Sequence, residues 1–259
     1  MTKIAISGKG GVGKTTLAGL LANIYAQRGR AVIAIDADPD ANLASALGFS
    51  KEAVSAIVPI SEMEQLIQER TGTKSGGYGA MFKINPRVDD IPERFSVKER
   101  GIRLLVMGTV DKGGSGCVCP ESVMLKTLVT HLLLRRDEVL IMDMEAGIEH
   151  LGRATAGAVD AFIVVVEPGQ RSLQTARTVV RLAGDIGVEH VFVVANKIRG
   201  DADREFIRTS LPDMEVLGFL PASSKAVEAD LAGVTVFGLD EALVAEAERI
   251  VDKLESLRN

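Results

Sequence analysis

A glycine-rich loop near the amino terminus constrains the fold of this chain more than any other feature. Residues 8–16 read Gly-Lys-Gly-Gly-Val-Gly-Lys-Thr-Thr and lie between the apolar run 4–6 and a helical pattern over 15–28. A buried strand, a glycine-rich turn and the start of a helix bring successive backbone N–H groups together around a polyphosphate. The loop therefore predicts a P-loop, the phosphate site of a nucleotide-binding α/β protein.

Individual residues of the loop have separate tasks in such a site. Gly8 and Gly13 allow the backbone to turn tightly. Lys14 is expected to reach the β- and γ-phosphates, and the Thr15 hydroxyl is expected to reach a bound Mg²⁺. The residues predicted to bind the phosphates are Gly8, Gly10, Gly11, Val12, Gly13, Lys14, Thr15 and Thr16.

Lys9 places a second lysine beside the first glycine. With it, the loop resembles the deviant Walker A sequence GKGGxGK[ST] of the family that holds the nitrogenase iron protein, the Min and Par partitioning ATPases and the nickel-inserting ATPases. The resemblance implies that Lys9 crosses a dimer interface to the phosphates of the partner's nucleotide. There it would stabilise transition-state charge once the dimer has closed. The alternative interpretation of Lys9 is a solvated loop cation.

Composition limits the fold class and the partners. The 259 residues are 46% hydrophobic, which is enough for one substantial core, so we expect a single P-loop ATPase domain over 1–259. The formal charge of −5 and the pI near 5.4 argue against a nucleic acid partner. The chain enters a strand at once, and no apolar run approaches the roughly 18 residues of a membrane span. We therefore expect a cytoplasmic protein without a membrane partner.

Apolar runs alternate with helical patterns along the chain, which is typical of βαβ units around a parallel sheet. The runs are continuous, as in strands that helices cover on both faces. Strands are predicted at 4–6, 31–35, 103–107, 139–142, 161–166, 191–195 and 216–220. Helices are predicted at 15–28, 120–136, 170–187, 201–210 and 239–257. We expect an α/β fold with a mostly parallel sheet flanked by helices on both faces.

Residues 48–102 form an insertion before the third predicted strand. A helical segment is predicted around 62–70, and the glycine-rich stretch 73–79 is predicted to be a mobile loop. The insertion could cap the site or contact a partner. It could equally be a surface elaboration without a specific task.

Three carboxylates follow the second predicted strand, at the sheet edge where open α/β folds bind ligands. They belong to Asp36, Asp38 and Asp40. The stretch resembles the first switch of the deviant Walker ATPases, which implies that Asp38 orients or activates the attacking water. Asp36 is expected to support Mg²⁺ or the loop. A helix-capping turn is the alternative, and Asn42 is the expected cap of the helix that follows.

An acidic residue also ends the strand predicted at 139–142. Asp143 fits a Walker B group, which would hold Mg²⁺ directly or through water. Gly147 would let a backbone N–H approach the γ-phosphate and report hydrolysis by moving. Residues 143–151 resemble the second switch of the family. Glu149 and His150 are interpreted as surface residues.

Asn196 follows the strand predicted at 191–195 and would lie at the same sheet edge. An asparagine amide can pair with N6 and N7 of adenine. A site for guanine would need a carboxylate at position 199 to accept hydrogen bonds from the base, whereas the side chain of Arg199 can only donate. The predicted nucleotide is therefore ATP. Members of the family that the loop resembles use the matching asparagine in the same way, and the resemblance implies that backbone near 219–221, including Pro221, closes the base pocket.

The two cysteines of the chain lie two residues apart, at Cys117 and Cys119. In an extended segment such residues point to the same side, so both sulfurs can face one ligand. Pro120 suits the first helical position, which makes Cys119 the expected N-cap. The helix dipole there favours the thiolate, the form that binds metals. A pair of small buried side chains is the alternative.

Together the phosphate loop, the two switches and the CxC pair resemble the CooC-type nickel-insertion ATPases of carbon monoxide dehydrogenase maturation. A related accessory protein of acetyl-CoA synthase is hard to distinguish, and the similarity runs from residue 1 to about 221. The resemblance implies an ATPase that forms a homodimer on nucleotide or metal binding and serves such a client enzyme. Cys117 and Cys119 of both subunits would supply the four ligands that Ni²⁺ or Zn²⁺ prefers.

Two other functions fit parts of the sequence. A Min- or Par-like positioning ATPase would need a basic amphipathic C-terminal helix or a DNA-binding surface. The helix at 239–257 has more acidic than basic residues, so its apolar stripe is predicted to pack on the core. An iron–sulfur reductase similar to the nitrogenase iron protein would hold a [4Fe–4S] cluster between subunits. Its ligands lie far apart in sequence, unlike this CxC pair.

Overall fold

One mostly parallel sheet organises the chain. The computed structural model describes residues 2–73, 82–109, 119–148 and 151–257, and within them the strand order is β3-β4-β2-β5-β1-β6-β7-β8. Among the strands of these ranges, only β3 and β4 pair in antiparallel fashion. The strands are β1 Lys3–Ser7, β2 Val32–Ala37, β3 Val97–Glu99, β4 Ile102–Val106, β5 Val139–Met144, β6 Ala161–Val166, β7 Val191–Ile198 and β8 Glu215–Pro221. The predicted α/β fold is confirmed.

Helices connect the strands and cover both faces of the sheet. In the described residues they are α1 Lys14–Gln27, α2 Leu43–Leu47, α3 Lys51–Ser55, α4 Glu64–Thr71, α5 Ile91–Arg94, α6 Pro120–Arg135, α7 Arg153–Ala156, α8 Gln170–Ile186, α9 Asp201–Ser210, α10 Ser224–Ala232 and α11 Glu241–Ser256. The five long predicted helices are confirmed to within two residues at each end. None of the helices in these ranges combines the length and apolar character that a membrane crossing requires.

The core consists of two layers, one on each face of the sheet. Every residue of β1, β2, β5 and β6 is buried, as the continuous apolar runs predict. Ile4 and Ile6 of β1 belong to the layer under α1 and α11, whereas Ala5 between them belongs to the layer under α6 and α8. The alternation of side chains along each strand therefore feeds both layers.

The C-terminal helix α11 packs on the sheet. Leu243, Ile250 and Leu254 are buried in the layer shared with α1, which confirms that most of the apolar stripe belongs to the core. Leu239 and Leu257, at the two ends of the stripe, are about half exposed, at 49% and 48%. The apolar surface of α11 is therefore largely used within the fold.

The insertion at 48–102 contributes to the core as well as to the surface. Its strand β3 extends the sheet edge beside β4, and a 3₁₀ turn at Ile60–Glu62 precedes α4, which packs against α6. Buried side chains of the insertion join the core layer under α6, and they are Ile60, Leu66, Val88 and Ile91. The loop predicted at 73–79 lies almost wholly outside the described residues.

Candidate nucleotide site

Two glycines of the phosphate loop occupy positions that other residues could not take without strain. Gly8 has φ +150°, and a Cβ built on it would lie 2.4 Å from the carbonyl oxygen of Val165 in β6. Gly13, the N-cap of α1, has φ +96°, and its Cβ would lie 2.2 Å from Nδ2 of Asn196. The loop is therefore wedged between α1 and the ends of β6 and β7.

The tip of the loop leaves its backbone accessible. Val12 is fully buried and its N–H donates to the carbonyl oxygen of Lys9 at 3.3 Å, which closes the turn. Gly10 and Gly11 are exposed, and Lys9 is partly exposed. Exposed backbone beside the N-terminus of a long helix suits phosphate binding. The phosphate contacts of these residues, and of Thr16 in the first turn of α1, stay predictions.

Lys14 and Asp38 contact each other at the carboxyl edge of the sheet. The Lys14 ammonium lies 3.5 Å from Oδ2 of Asp38, and both side chains are largely buried. The other oxygen of Asp38 accepts the N–H of Asp40 at 3.1 Å. The structure thus brings together the loop lysine and the aspartate that the sequence selects for the attacking water.

Asp36 organises the loop that carries Asp38. Its two carboxylate oxygens accept the N–H groups of Asp38 at 3.3 Å and of Leu43 at 2.9 Å. Burial raises the pKa of Asp36 from 3.8 to about 6, against the lowering effect of these backbone hydrogen bonds. Asn42 holds the N-cap position of α2, as the sequence predicts, but its side chain makes no capping hydrogen bond. Asp36 satisfies that helix N-terminus from seven residues upstream.

Asp143 has the environment of a cation ligand. It lies opposite Asp36 in the register of β2 and β5 and is 1% exposed. Neither carboxylate oxygen meets hydrogen-bond geometry with a partner among the described residues. Burial raises the pKa of Asp143 from 3.8 to about 7, while the nearby Thr15 hydroxyl and Lys14 charge oppose that rise. Buried carboxylate oxygens of this kind fit a divalent cation or its bound water, which would satisfy them.

Asn196 and Lys197 brace the phosphate loop from β7. Asn196 Nδ2 donates to the carbonyl oxygen of Val12 at 2.8 Å. The Lys197 ammonium donates to the carbonyl oxygen of Gly11 at 2.6 Å and to Glu167 at 2.8 Å. Lys197 holds φ +58°, a conformation that side chains rarely adopt. Lys197 was not predicted as a site residue, although a lysine directly after the strand-ending Asn196 is visible in the sequence.

The predicted base pocket lies at the same edge. Pro221 ends β8, and its register partner is Ile198 at the end of β7. Asn196 is buried, and one of its two amide N–H groups serves Val12, so pairing with adenine would use the other. The adenine-binding roles of Asn196 and Pro221 stay predictions.

Ser7 is a second residue of the site that was not predicted from the sequence. It ends β1 directly before Gly8, and its hydroxyl contacts the turn that follows Asp143 and contains Gly147. A serine directly after the apolar run 4–6 was the available signal. The phosphate loop and the turn after β5 are therefore connected through one side chain.

The structure places one of the two cysteines. Cys119 is the N-cap of α6, and its sulfur accepts the N–H of Ser122 at 3.4 Å, as Pro120 at the first helical position predicts. Cys117 lies outside the described residues, as do Glu149 and His150. Within the described ranges, no three His, Cys, Asp or Glu side chains gather as a metal site. The shared thiolate site stays a prediction.

The chain is similar to one family of nucleotide-binding proteins along almost its full length. Residues 3–236 match the family described as the CobQ/CobB/MinD/ParA nucleotide binding domain. The carbon monoxide dehydrogenase accessory protein CooC of Rhodospirillum rubrum is 49% identical over 252 residues, which cover 97% of this chain and 95% of that protein. An ATP-binding protein of Methanocaldococcus jannaschii is 45% identical over 260 residues, 99% of each chain.

Solved structures share the fold at lower identity. A chain of the MinC:MinD cell division protein complex of Aquifex aeolicus superposes with a TM-score of 0.69 at 22% identity, over 100% of this chain and 96% of that one. MinD of Pyrococcus horikoshii, complexed with Mg-ADP, gives 0.69 at 18% identity, over 100% and 98%. The family match and the ATP-binding relative confirm the expectation of an ATPase. The chain belongs to the CobQ/CobB/MinD/ParA nucleotide-binding family and, within it, to the CooC-type group.

Proposed function

We propose that this protein is an ATP-hydrolysing, dimer-forming maturation factor that binds nickel or zinc through Cys117 and Cys119. Its task would be to assist metal insertion into carbon monoxide dehydrogenase or acetyl-CoA synthase. The similarity to an accessory protein of carbon monoxide dehydrogenase supports the client class. The observation that carries the ATPase part is the 3.5 Å contact between Lys14 and Asp38, beside the buried Asp143.

The Lys14–Asp38 contact supports a mechanism for hydrolysis. Phosphate oxygens at the loop would compete with Asp38 for the Lys14 ammonium, since both are anionic partners of one cation. The displaced Asp38 carboxylate would accept a hydrogen bond from water and orient it for attack on the γ-phosphate. Thr15 and Asp143, with Asp36 behind them, would hold Mg²⁺, which neutralises phosphate charge when bound.

Lys9 would complete the site of the neighbouring subunit. Lys14 already serves the nucleotide of its own chain, and Lys9 is partly exposed at the loop tip, where a second chain could approach. A cation supplied by the partner would stabilise transition-state charge only in the closed dimer. Hydrolysis would then depend on assembly.

Helix α6, which Cys119 caps, is attached to β1, the strand that leads into the phosphate loop. The Lys3 ammonium of β1 is buried and donates to the carbonyl oxygens of Leu132, Arg136 and Glu138 at 3.4, 2.5 and 3.2 Å, which fixes the C-terminal end of α6. Cations near a helix C-terminus are stabilising. Through this connection, movement of the phosphate loops would change the spacing of the sulfurs across the dimer and so couple the nucleotide state to the metal site.

The test is a mixing experiment with two inactive variants, Asp38→Asn and Lys9→Ala. Each should bind ATP and lose Mg²⁺-dependent hydrolysis, measured as phosphate release. In a mixed dimer, the site on the Lys9→Ala chain has its own Asp38 and receives Lys9 from the partner. Random assortment of equal amounts should therefore restore about a quarter of the unaltered activity.

The outcomes separate the parts of the proposal. No phosphate release by the unaltered protein with Mg²⁺ would contradict an ATPase. Undiminished turnover in Asp38→Asn would remove Asp38 from its role. A mixture that stays inactive, although the chains exchange, would show that Lys9 does not act across the interface.

A further inference from the structure

The hydroxyl of Ser7 is enclosed at the junction of the phosphate loop and the turn after β5, the two segments that the sequence predicts to contact the γ-phosphate. Ser7 is 0% exposed and pairs in register with Val164 of β6. Its Oγ lies 2.8 Å from the carbonyl oxygen of Glu145 and 3.0 Å from that of Gly147, so its single proton is shared between two acceptors. It accepts the N–H of Gly147 at 3.2 Å. All of these contacts reach residues 145–147, called here the switch turn.

The N–H of Gly147 already has hydrogen-bond acceptors within the protein in this arrangement. Besides Ser7 Oγ, it reaches the carbonyl oxygen of Glu145 at 2.7 Å, in a tight turn. A backbone N–H has one proton and makes one strong hydrogen bond at a time. Gly147 can therefore serve a phosphate only after this N–H leaves both Ser7 Oγ and the carbonyl oxygen of Glu145, which requires the turn to rearrange.

We propose that Ser7 is a positioning residue that competes with the γ-phosphate of ATP for the N–H of Gly147. The inference deepens the proposed ATP hydrolysis and rests on it. ADP has no γ-phosphate and leaves the Ser7 contact intact, whereas ATP must displace it. Ser7 thereby holds the switch turn in its resting arrangement and lowers the affinity for ATP relative to ADP.

The direction of this effect distinguishes it from a structural role. A ligand shifts an equilibrium only by its different affinities for the two states. Without the hydroxyl, ATP binding no longer has to break the hydrogen bond between Ser7 and Gly147. One neutral hydrogen bond corresponds to about a fivefold change in affinity, so the affinity for ATP should rise by about that factor. A variant that merely loosens the site would weaken both nucleotides.

The experiment compares Ser7→Ala with Ser172→Ala, each measured with Mg-ADP and with a non-hydrolysable ATP analogue by calorimetry. Ser172 is the matched control because it is also buried and its hydroxyl accepts one backbone N–H, that of Glu167 at 3.1 Å, at the same sheet edge. Ser7→Ala should bind the analogue about fivefold more tightly and ADP unchanged. Ser172→Ala should keep the ratio of the two affinities found in the unaltered protein.

A second measurement uses the unaltered protein and needs no variant to fold. With ¹⁵N-labelled glycine, the amide signal of Gly147 should differ between the ADP and ATP-analogue complexes, because its acceptor changes. An identical signal in both complexes, or an unchanged affinity ratio in Ser7→Ala, would overturn the role of Ser7 while leaving the ATPase proposal standing. Failure of the unaltered protein to bind either nucleotide would overturn both.

Discussion

Replacing Asp143 with asparagine should lower Mg²⁺-dependent ATP hydrolysis by about a hundredfold or more, since the cation stabilises several kcal/mol of transition-state charge. The carboxylate is buried and its oxygens lack a partner that meets hydrogen-bond geometry among the described residues. An amide of the same shape keeps the packing but supplies no negative charge. Phosphate release at saturating ATP, with and without Mg²⁺, measures the effect.

The same variant should be more stable than the unaltered protein without Mg²⁺ at pH 8. Burial raises the pKa of Asp143 from 3.8 to about 7, so the folded state binds more protons than the unfolded chain between these values. Stability therefore falls as the pH rises from about 4 to 7, because the carboxyl loses its proton readily in the unfolded chain but is held protonated by burial in the folded state. Above pH 7, burial of the ionised carboxylate lowers the free energy of unfolding by roughly 4 kcal/mol in total. The buried amide of the asparagine also lacks hydrogen-bond partners, which costs about 1–3 kcal/mol, so the net gain in the free energy of unfolding is smaller than this penalty.

The control is Asp90→Asn, for which the expected change in stability has the opposite sign. Hydrogen bonds from Arg70 and Arg94 lower the pKa of Asp90 to about 2, so its contribution to stability is present above pH 4 and lost as the pH falls towards 2. Asp90→Asn should therefore destabilise the protein at neutral pH. Thermal unfolding from pH 5 to 8 measures both variants. A melting temperature of Asp143→Asn that falls with pH as steeply as that of the unaltered protein would contradict the assigned origin of the penalty.

Replacing Gly13 with alanine should reduce nucleotide affinity by about a hundredfold, because even small displacements of a binding loop are costly. The new Cβ would lie 2.2 Å from Nδ2 of Asn196, and φ is +96°. The new Cβ cannot be accommodated unless Asn196 moves, and the amide of Asn196 donates a hydrogen bond to the carbonyl oxygen of Val12 in the phosphate loop. The left-handed backbone alone costs about 1–2 kcal/mol in an alanine. Calorimetric binding of Mg-ADP and thermal unfolding measure the two effects.

Gly169→Ala is the matched control for this variant. Gly169 is also the N-cap of a helix that follows a strand, but its backbone is extended at φ 173° and nothing lies within 4 Å of an added Cβ. It should fold and bind nucleotide nearly as the unaltered protein does. Equal losses of affinity in both variants would show that the clash with Asn196 is not the cause.

Much of the fold could be predicted because its signals are local. The central strands are continuous apolar runs, and Pro120 after Cys119 marks a helix start within two residues. The edge strand β3 was missed because it has only three residues, none of them buried. Helix α10 was missed because only Ala229 among its residues is buried, so it lacks an apolar stripe.

The site was predicted in its residue types but not in its internal contacts. Motifs select Lys14, Asp38 and Asp143, yet no local pattern shows that Ser7 bonds a turn about 140 positions away or that Lys197 reaches Gly11 across the sheet. Asp36 capping α2 likewise depends on the path of the intervening loop. Such contacts depend on strand order, which brings distant chain segments to one edge.

The most direct test of the proposed function is the metal stoichiometry of the reduced protein. Titration with Ni²⁺ or Zn²⁺, with and without an ATP analogue, should saturate at one metal per two chains, and the nucleotide should change the affinity. Cys117→Ala and Cys119→Ala should each abolish binding, and protein purified without oxygen should lack the brown colour of an iron–sulfur cluster. Saturation at one metal per chain, or unchanged binding in both variants, would contradict a thiolate site shared across the dimer.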